Sequence, residues 1–79
     1  MKSIYLSILF NMGYWNEVNH QYGQANMLYK EIISLHSDYI DAYLRLAYLA
    51  KKRGDTHRAI EWIDKASKSK AKAPVNQLC

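Results

Sequence analysis

Apolar residues in this chain recur at three- and four-residue spacing, which is the spacing of one face of an α-helix. The clearest stripe comprises Ala25, Leu28, Tyr29, Ile32 and Leu35. Two further stripes follow: Tyr43, Leu46, Ala47 and Ala50, then Ala59, Trp62, Ile63 and Ala66. Together with an apolar first segment, the pattern predicts four helices over about residues 3–19, 22–36, 39–53 and 56–70.

Capping residues place the ends of these helices. Gly54 supplies a C-terminal turn after the third helix, and Asp55 or Thr56 is suited to cap the fourth. Asp38 is a good N-cap for the third helix. The first turn falls near His20, which is a weak substitute for glycine because a non-glycine residue with positive φ is disfavoured.

The two halves of the chain repeat one another. Ala25 and Ala59 are 34 residues apart, and this offset is the period of the tetratricopeptide repeat (TPR), a helix–turn–helix unit. Small residues at helix crossings let two backbones approach closely. The predicted structural repeat positions are Gly13, Ala25, Ala47, Gly54, Ala59 and Ala66.

The repeat predicts an all-α fold. We expect two antiparallel helix–turn–helix TPR hairpins, at about residues 3–36 and 39–70. They form a short right-handed α-solenoid fragment that occupies residues 1–70, followed by a frayed C-terminal tail at residues 71–79. Because about three repeats are usually needed for stability, we expect a fragment, or a module of marginal stability that leans on a partner.

The amino-acid composition of this 79-residue chain narrows the class of protein. One proline and three glycines disfavour a β-rich fold, and the single cysteine, Cys79, allows no internal disulfide. The start of the chain imitates a signal peptide through the apolar run 4–10. We favour a helix because no small-residue cleavage site follows, and no run is long enough to span a membrane.

No catalytic constellation is visible in the sequence. His20, His36 and His57 lack metal-ligand spacing, and no glycine loop of the phosphate-binding kind is present. We therefore expect no enzyme activity, no cofactor, no bound metal and no small-molecule substrate.

The net charge of +4 comes mainly from the second half of the chain. Basic residues gather around one turn and along the last helix: Lys51, Lys52, Arg53, His57 and Arg58, then Lys65, Lys68, Lys70 and Lys72. Either they form a patch for nucleic acid or an acidic peptide, or they complement helix dipoles on a solvated face. We favour the second interpretation and expect only weak, non-specific nucleic-acid binding that falls as salt rises.

Resemblance to the TPR family implies a candidate partner-binding groove. The residues that this register places on it are Phe10, Asn11, Tyr14, Leu44, Arg45 and Tyr48. Tyrosine and arginine are common at interface hot spots, so we expect Arg45→Ala and Tyr48→Ala to weaken partner association with little loss of helix. An equally weighted alternative is that Leu44 and Tyr48 pack against a neighbouring repeat. Phe10 and Leu44 stand where the chaperone-binding TPR subclass carries lysines, so that role is disfavoured.

A narrower resemblance lies in the stretch L-Y-K-E-I-I at residues 28–33 and H-S-D-Y-I-D-A-Y-L-R-L-A at residues 36–47. It is similar to a repeat junction in the large TPR subunit of the RNA polymerase II-associated factor complex, and plant members look nearest. The likeness covers about residues 22–66. It implies a nuclear, non-catalytic scaffold of transcription elongation, whose partners are subunits of that complex or neighbouring TPRs.

Two other functions stay open at this point. One is a free-standing cytosolic TPR module that binds peptides. The other is a weak, basic nucleic-acid-binding helical fragment. Neither interpretation includes a membrane partner.

Overall fold

A computed structural model describes residues 2–71 of the chain. Within this range all regular structure is helical, so the predicted all-α repeat fold is confirmed. The segment expected to form a frayed tail lies outside the described residues, apart from Ala71. The helices are α1 (Lys2–Val18), α2 (Tyr22–Leu35), α3 (Ile40–Lys52) and α4 (Thr56–Ala71).

The helices pack in chain order. Helix α1 packs on α2, α3 packs on α4, and contacts between α2 and α3 join the two pairs. Short connections of this kind make consecutive helices antiparallel neighbours. We call α1–α2 the first hairpin and α3–α4 the second. Residues that lie one 34-residue repeat period apart are called equivalent.

The first turn is built on a residue with a left-handed backbone. His20 has φ of 63°, and the Gln21 N–H donates to the Asn16 carbonyl at 2.8 Å. The His20 N–H donates to the Glu17 carbonyl at 3.0 Å. This pair of bonds is a Schellman motif, which satisfies carbonyls that the end of a helix would leave unpaired.

The second hairpin has the same turn at equivalent positions. Gly54 has φ of 83°, and the Asp55 N–H donates to the Ala50 carbonyl at 2.9 Å. The Asp55 carboxylate then accepts from the Arg58 N–H at 3.2 Å, which makes Asp55 the cap of α4. The backbone therefore repeats even where glycine is replaced by histidine.

The connection between the hairpins differs from the prediction at Asp38. Helix α3 begins at Ile40, and its N-cap is Tyr39, which makes no side-chain capping bond. The Tyr39 N–H instead donates to the His36 carbonyl at 3.1 Å. Because this turn delays the start of the helix, Asp38 lies too early in the chain to cap it.

The core is built from two clusters of buried residues. The larger cluster joins α1, α2 and α3: Leu6, Leu9, Ala25, Tyr29, Ile32, Ala42, Leu46 and Leu49. The smaller cluster joins α3 to α4 through Ala47, Ala50 and Ala59. Trp62 packs against both clusters, so it connects them.

Small residues allow the closest helix crossings. A Cβ atom on Gly13 would lie 2.7 Å from Cε1 of Tyr29, closer than real contacts allow. Ala25 is fully buried, and Ala59 and Ala66 are nearly so.

Two residues of the predicted apolar stripes, Leu35 and Ile63, are about half exposed and not buried as the stripes predicted. None of the helices in the described range has both the length and the apolar character needed to cross a membrane.

Candidate functional site

A groove of about 270 Å³ opens where the end of α1, the start of α2 and the second half of α3 meet. We call it the aromatic groove. Its lining residues are Tyr14, Glu17, Val18, His20, Tyr22, Arg45, Tyr48 and Lys52. Helix α1 and the first turn supply one wall, and α3 supplies the other.

The floor of the aromatic groove is a buried carboxylate. Glu17 is 6% exposed and accepts a hydrogen bond from the Tyr29 hydroxyl at 2.9 Å. Arg45 contacts both carboxylate oxygens, with its Nε 3.1 Å from Oε1 and an Nη on Oε2. A buried carboxylate is costly unless it is paired and hydrogen-bonded, and here three donors from two other helices satisfy it.

This hydrogen-bond network raises the pKa of two of its side chains, Tyr29 and Arg45. Burial raises the pKa of the Tyr29 hydroxyl well above its ordinary value of 10.0, and the hydrogen bond to Glu17 adds to the rise. The hydrogen bond to Glu17 raises the pKa of Arg45 above its ordinary value. Tyr29 is therefore a neutral donor and Arg45 a fixed cation throughout the neutral range.

Arg45 is also held between two aromatic rings. Its Cζ lies 5.4 Å from the centre of the Tyr14 ring and 4.8 Å from that of Tyr48. Both distances fall within the range of cation–π attraction. Tyr14 and Tyr48 are equivalent residues of the two hairpins, so the repeat itself places one ring on each side of the guanidinium.

The series of rings and cations continues to Lys52. Its Nζ lies 5.6 Å from the centre of the Tyr48 ring and 5.9 Å from that of Tyr22. Proximity to Tyr22, and then to Tyr48, raises the pKa of Lys52. His20 closes the series, because its Nδ1 lies 2.9 Å from the Tyr22 hydroxyl.

Arg45 and Lys52 differ in whether a carboxylate of the chain already neutralises their charge. The charge of Arg45 is neutralised by Glu17. In the described part of the chain, no carboxylate forms an ion pair with Lys52. The aromatic groove therefore presents tyrosine rings and hydroxyls together with one accessible ammonium.

Between residues 2 and 71, no group of three or more metal-ligating side chains is gathered. The groove contains no serine or cysteine, and its carboxylate is already bound by Tyr29 and Arg45. The side chains that line the groove can stack, form hydrogen bonds and pair with a charged ligand.

The structure brings together three of the six predicted groove residues: Tyr14, Arg45 and Tyr48. Asn11 and Leu44 are exposed but do not line the aromatic groove. Phe10 is also absent from its lining. The Phe10 ring is half-buried, with centroids 5.5 Å from the Tyr29 ring and 5.8 Å from the Tyr39 ring, so it contributes to the core.

The groove predicted from the sequence did not include Glu17 and Tyr22, and it left Lys52 in the separate basic cluster around the second turn. The signal for Glu17 was available, since it is the only acidic residue before residue 31. A lone arginine among the apolar residues of α3 needs a carboxylate from another helix if it is buried. Tyr22 had no comparable signal, because it reaches the groove only through the geometry of the first turn.

The other basic residues of the second hairpin lie at different helix ends and on different helix faces, outside the aromatic groove. Lys51 lies in the last turn of α3, where it complements the helix dipole. Arg58 and His57 lie 3.6 and 3.5 Å from the Glu61 carboxylate, and Lys68 lies 3.3 Å from Asp64. Among the described residues, these contacts place a carboxylate beside three of the basic side chains.

Comparison with known proteins identifies the repeat. A family model described as tetratricopeptide repeat matches residues 19–79. The chain is 38% identical over 69 residues to the Protein CTR9 homolog of Arabidopsis thaliana. That alignment covers 87% of this chain and 6% of the relative. No solved structure matches the chain significantly.

Proposed function

The chain belongs to the tetratricopeptide repeat family, and we propose that it is a non-catalytic protein-interaction module whose binding surface is the aromatic groove. The observation that carries this proposal is the open series of rings and cations. Three tyrosines alternate there with Arg45 and Lys52 on a surface that no element in the described range covers. Tyrosine and arginine are the residue types in which binding energy concentrates.

The groove suits an extended acidic segment of a partner protein. Lys52 provides an ammonium for one carboxylate of the ligand, and the rings of Tyr22 and Tyr48 flank it. Arg45 is already fixed by Glu17, so its role is to hold the Tyr14 and Tyr48 rings in place. A surface ordered in advance loses less conformational entropy on binding.

We further propose that the partner belongs to the RNA polymerase II-associated factor complex and that the chain acts in the nucleus. Two similarities support this assignment. Residues 28–47 resemble a repeat junction of the large TPR subunit of that complex. The similarity to the Arabidopsis CTR9 homolog spans most of this chain. Since the chain spans only 6% of that relative's length, the function of the whole relative is carried over here as a proposal.

The test is affinity capture from nuclear extract and, separately, from cytosolic extract, with quantitative mass spectrometry. The bait is the full chain, compared with its Lys52→Glu and Tyr48→Ala variants. We expect subunits of the polymerase-associated complex to be captured by the wild type and to be depleted with both variants. Lys51→Glu is the matched control, since Lys51 carries the same charge one residue away but does not line the groove.

Arg45→Ala is unsuitable as a variant for testing binding alone. It would leave the buried Glu17 carboxylate without its cation, so its effect on binding would be mixed with a loss of stability. Circular dichroism of each bait checks the helix content. Equal capture by the wild type and both groove variants would place the binding surface elsewhere. Capture of partners only from cytosolic extract would favour a free-standing peptide-binding module.

A further inference from the structure

One end of the aromatic groove is lined by polar side chains that the repeat does not require. They are His20, Tyr22 and Lys52, and we call this part of the groove the Lys52 end. The equivalent residues of the other hairpin are Gly54, Thr56 and Val18. Because none of the three positions keeps its residue type from one hairpin to the other, the packing of a repeat hairpin does not account for this combination.

The Lys52 ammonium stands beside two tyrosines. Its Nζ lies 5.6 Å from the centre of the Tyr48 ring and 5.9 Å from that of the Tyr22 ring. The proximity of Tyr22 and Tyr48 raises the pKa of Lys52, so the ammonium stays charged in the neutral range. Glu17, which supplies the carboxylate of the groove, is paired with Arg45. The Lys52 end therefore combines a positive charge with two phenolic hydroxyls.

His20 supports the Tyr22 hydroxyl from behind. Its Nδ1 lies 2.9 Å from the hydroxyl oxygen, and the two rings meet edge-on with centroids 5.8 Å apart. An imidazole that carries a proton on Nδ1 donates to this oxygen, and the proton of the Tyr22 hydroxyl is then free to be donated into the groove. An imidazole protonated on both nitrogens also adds a second positive charge beside Lys52.

This arrangement of donors suits a phosphate group more than a carboxylate. A carboxylate has two oxygens in one plane, whereas a phosphate monoester has three terminal oxygens and a charge of about −1.5 to −2 near pH 7. The donors come from both walls of the groove: Tyr22 and His20 from the first turn and the start of α2, Tyr48 and Lys52 from α3. Donors on opposite sides can reach oxygens that point in different directions.

We propose that the Lys52 end of the aromatic groove binds a phosphorylated serine in an extended segment of a partner protein. This inference rests on the proposed function of the groove, and it replaces the ligand carboxylate at Lys52 with a phosphate. The phosphate oxygens accept hydrogen bonds from the Lys52 ammonium and from the hydroxyls of Tyr22 and Tyr48. Residues that flank the phosphoserine lie along the groove toward Tyr14.

Fluorescence anisotropy with three labelled peptides tests the proposal on the full chain. The peptides carry the same flanking aspartates and differ only in the central residue, which is phosphoserine, glutamate or serine. We expect the phosphoserine peptide to bind about tenfold more tightly than the glutamate peptide, because more charge-assisted hydrogen bonds form to the phosphate. The serine peptide should bind most weakly. All titrations use the same ionic strength, so that screening does not differ between peptides.

Variants that remove single groups show which side chains hold the phosphate. Tyr22→Phe and Tyr48→Phe keep the rings and remove only the hydroxyls, so each should reduce the preference for phosphoserine over serine by about three- to tenfold. Lys52→Gln should remove most of the preference. Lys51→Gln is the matched control, which should keep it because Lys51 does not line the groove. Circular dichroism of each variant checks that its helix content is unchanged.

The possible failures are distinguishable. Equal affinity for the phosphoserine and glutamate peptides would overturn the phosphate site and leave the proposed binding of acidic segments intact. If none of the three peptides binds, both proposals fail. A preference for phosphoserine that survives in both phenylalanine variants would place the phosphate elsewhere.

Two competition experiments separate the proposed ligand from other sources of phosphate. Inorganic phosphate that displaces the phosphoserine peptide at the peptide's own concentration would indicate a site for the free ion. Single-stranded RNA of matched length that binds more tightly than the phosphoserine peptide would indicate a nucleic-acid site. Either result would overturn the proposal, which expects weak competition from both, since neither carries a phosphoserine within a peptide that lies along the groove.

Discussion

The two hairpins have the same backbone turn, but different side chains pack where their helices cross. In the first hairpin, the fully buried Tyr29 lies against Gly13, and a Cβ at Gly13 would collide with its ring. In the second hairpin the equivalent residues are Ile63, which is half exposed, and Ala47. The small residues Ala47, Ala50 and Ala59 form that crossing instead.

This difference has a consequence for polar groups. A buried tyrosine brings a hydroxyl into the core, and that hydroxyl needs a partner. Glu17 accepts from it and in turn requires Arg45. The second hairpin has Lys51 at the position of Glu17, exposed at the end of α3. The repeat therefore fixes turns and small residues, while the large side chains decide whether a hairpin contains a polar network.

The largest expected effect is at Tyr29. Tyr29→Ala should lower the free energy of unfolding by about 3–5 kcal/mol, because it leaves a cavity in the larger cluster. Ile63→Ala, the equivalent change in the second hairpin, should cost well under about 1 kcal/mol because its side chain is half exposed. Urea unfolding followed by circular dichroism measures both. Similar losses for the two variants would contradict the difference between the hairpins.

Breaking the ion pair should have the next largest effect. Arg45→Ala should cost about 3 kcal/mol, since it leaves a buried carboxylate without its cation. Lys51→Ala, at the position equivalent to Glu17, should change stability by less than about 0.5 kcal/mol. A double-mutant cycle with Glu17→Gln isolates the coupling between the two side chains. A coupling near zero would mean that the pair does not act as a unit.

Alkaline pH should weaken the first hairpin through Tyr29. Its pKa is raised in the folded chain, so the stabilisation is complete below the ordinary value of 10.0. It is lost as pH rises above that value toward the folded pKa. The wild type should therefore lose stability above pH 10 more steeply than Tyr29→Phe, which lacks the ionising group. Urea midpoints at several pH values compare the slopes, and parallel slopes would exclude Tyr29 as the cause.

The smallest effect concerns the two turns. His20 holds a left-handed φ of 63° that glycine adopts without strain. His20→Gly should therefore stabilise the chain by about 0.5–1 kcal/mol, less the lost contact with Tyr22. Gly54→Ala at the equivalent position should destabilise it by about 1 kcal/mol or more. Thermal midpoints of both variants check the opposite signs.

The helices and the repeat could be predicted from local sequence patterns. Apolar residues at helical spacing and the offset from Ala25 to Ala59 predicted four helices, and the all-α repeat fold is confirmed. Asp55 was identified as a candidate cap for α4, because capping depends on a few adjacent residues. Asp38 failed as a cap although it is a good capping residue. A turn of the backbone after α2 moved the start of α3 by one residue.

The assembly of the aromatic groove, in contrast, depends on how the helices pack in three dimensions. The register placed Tyr14, Arg45 and Tyr48 on one face, but it also placed Phe10 there, whose ring packs into the core. Periodicity reports which face of a helix a residue occupies. It does not report which neighbouring helix that face meets or how far a side chain reaches. Glu17 and Arg45 are 28 residues apart, and they meet because α1 and α3 both pack against α2 in the larger core cluster, which no local pattern encodes.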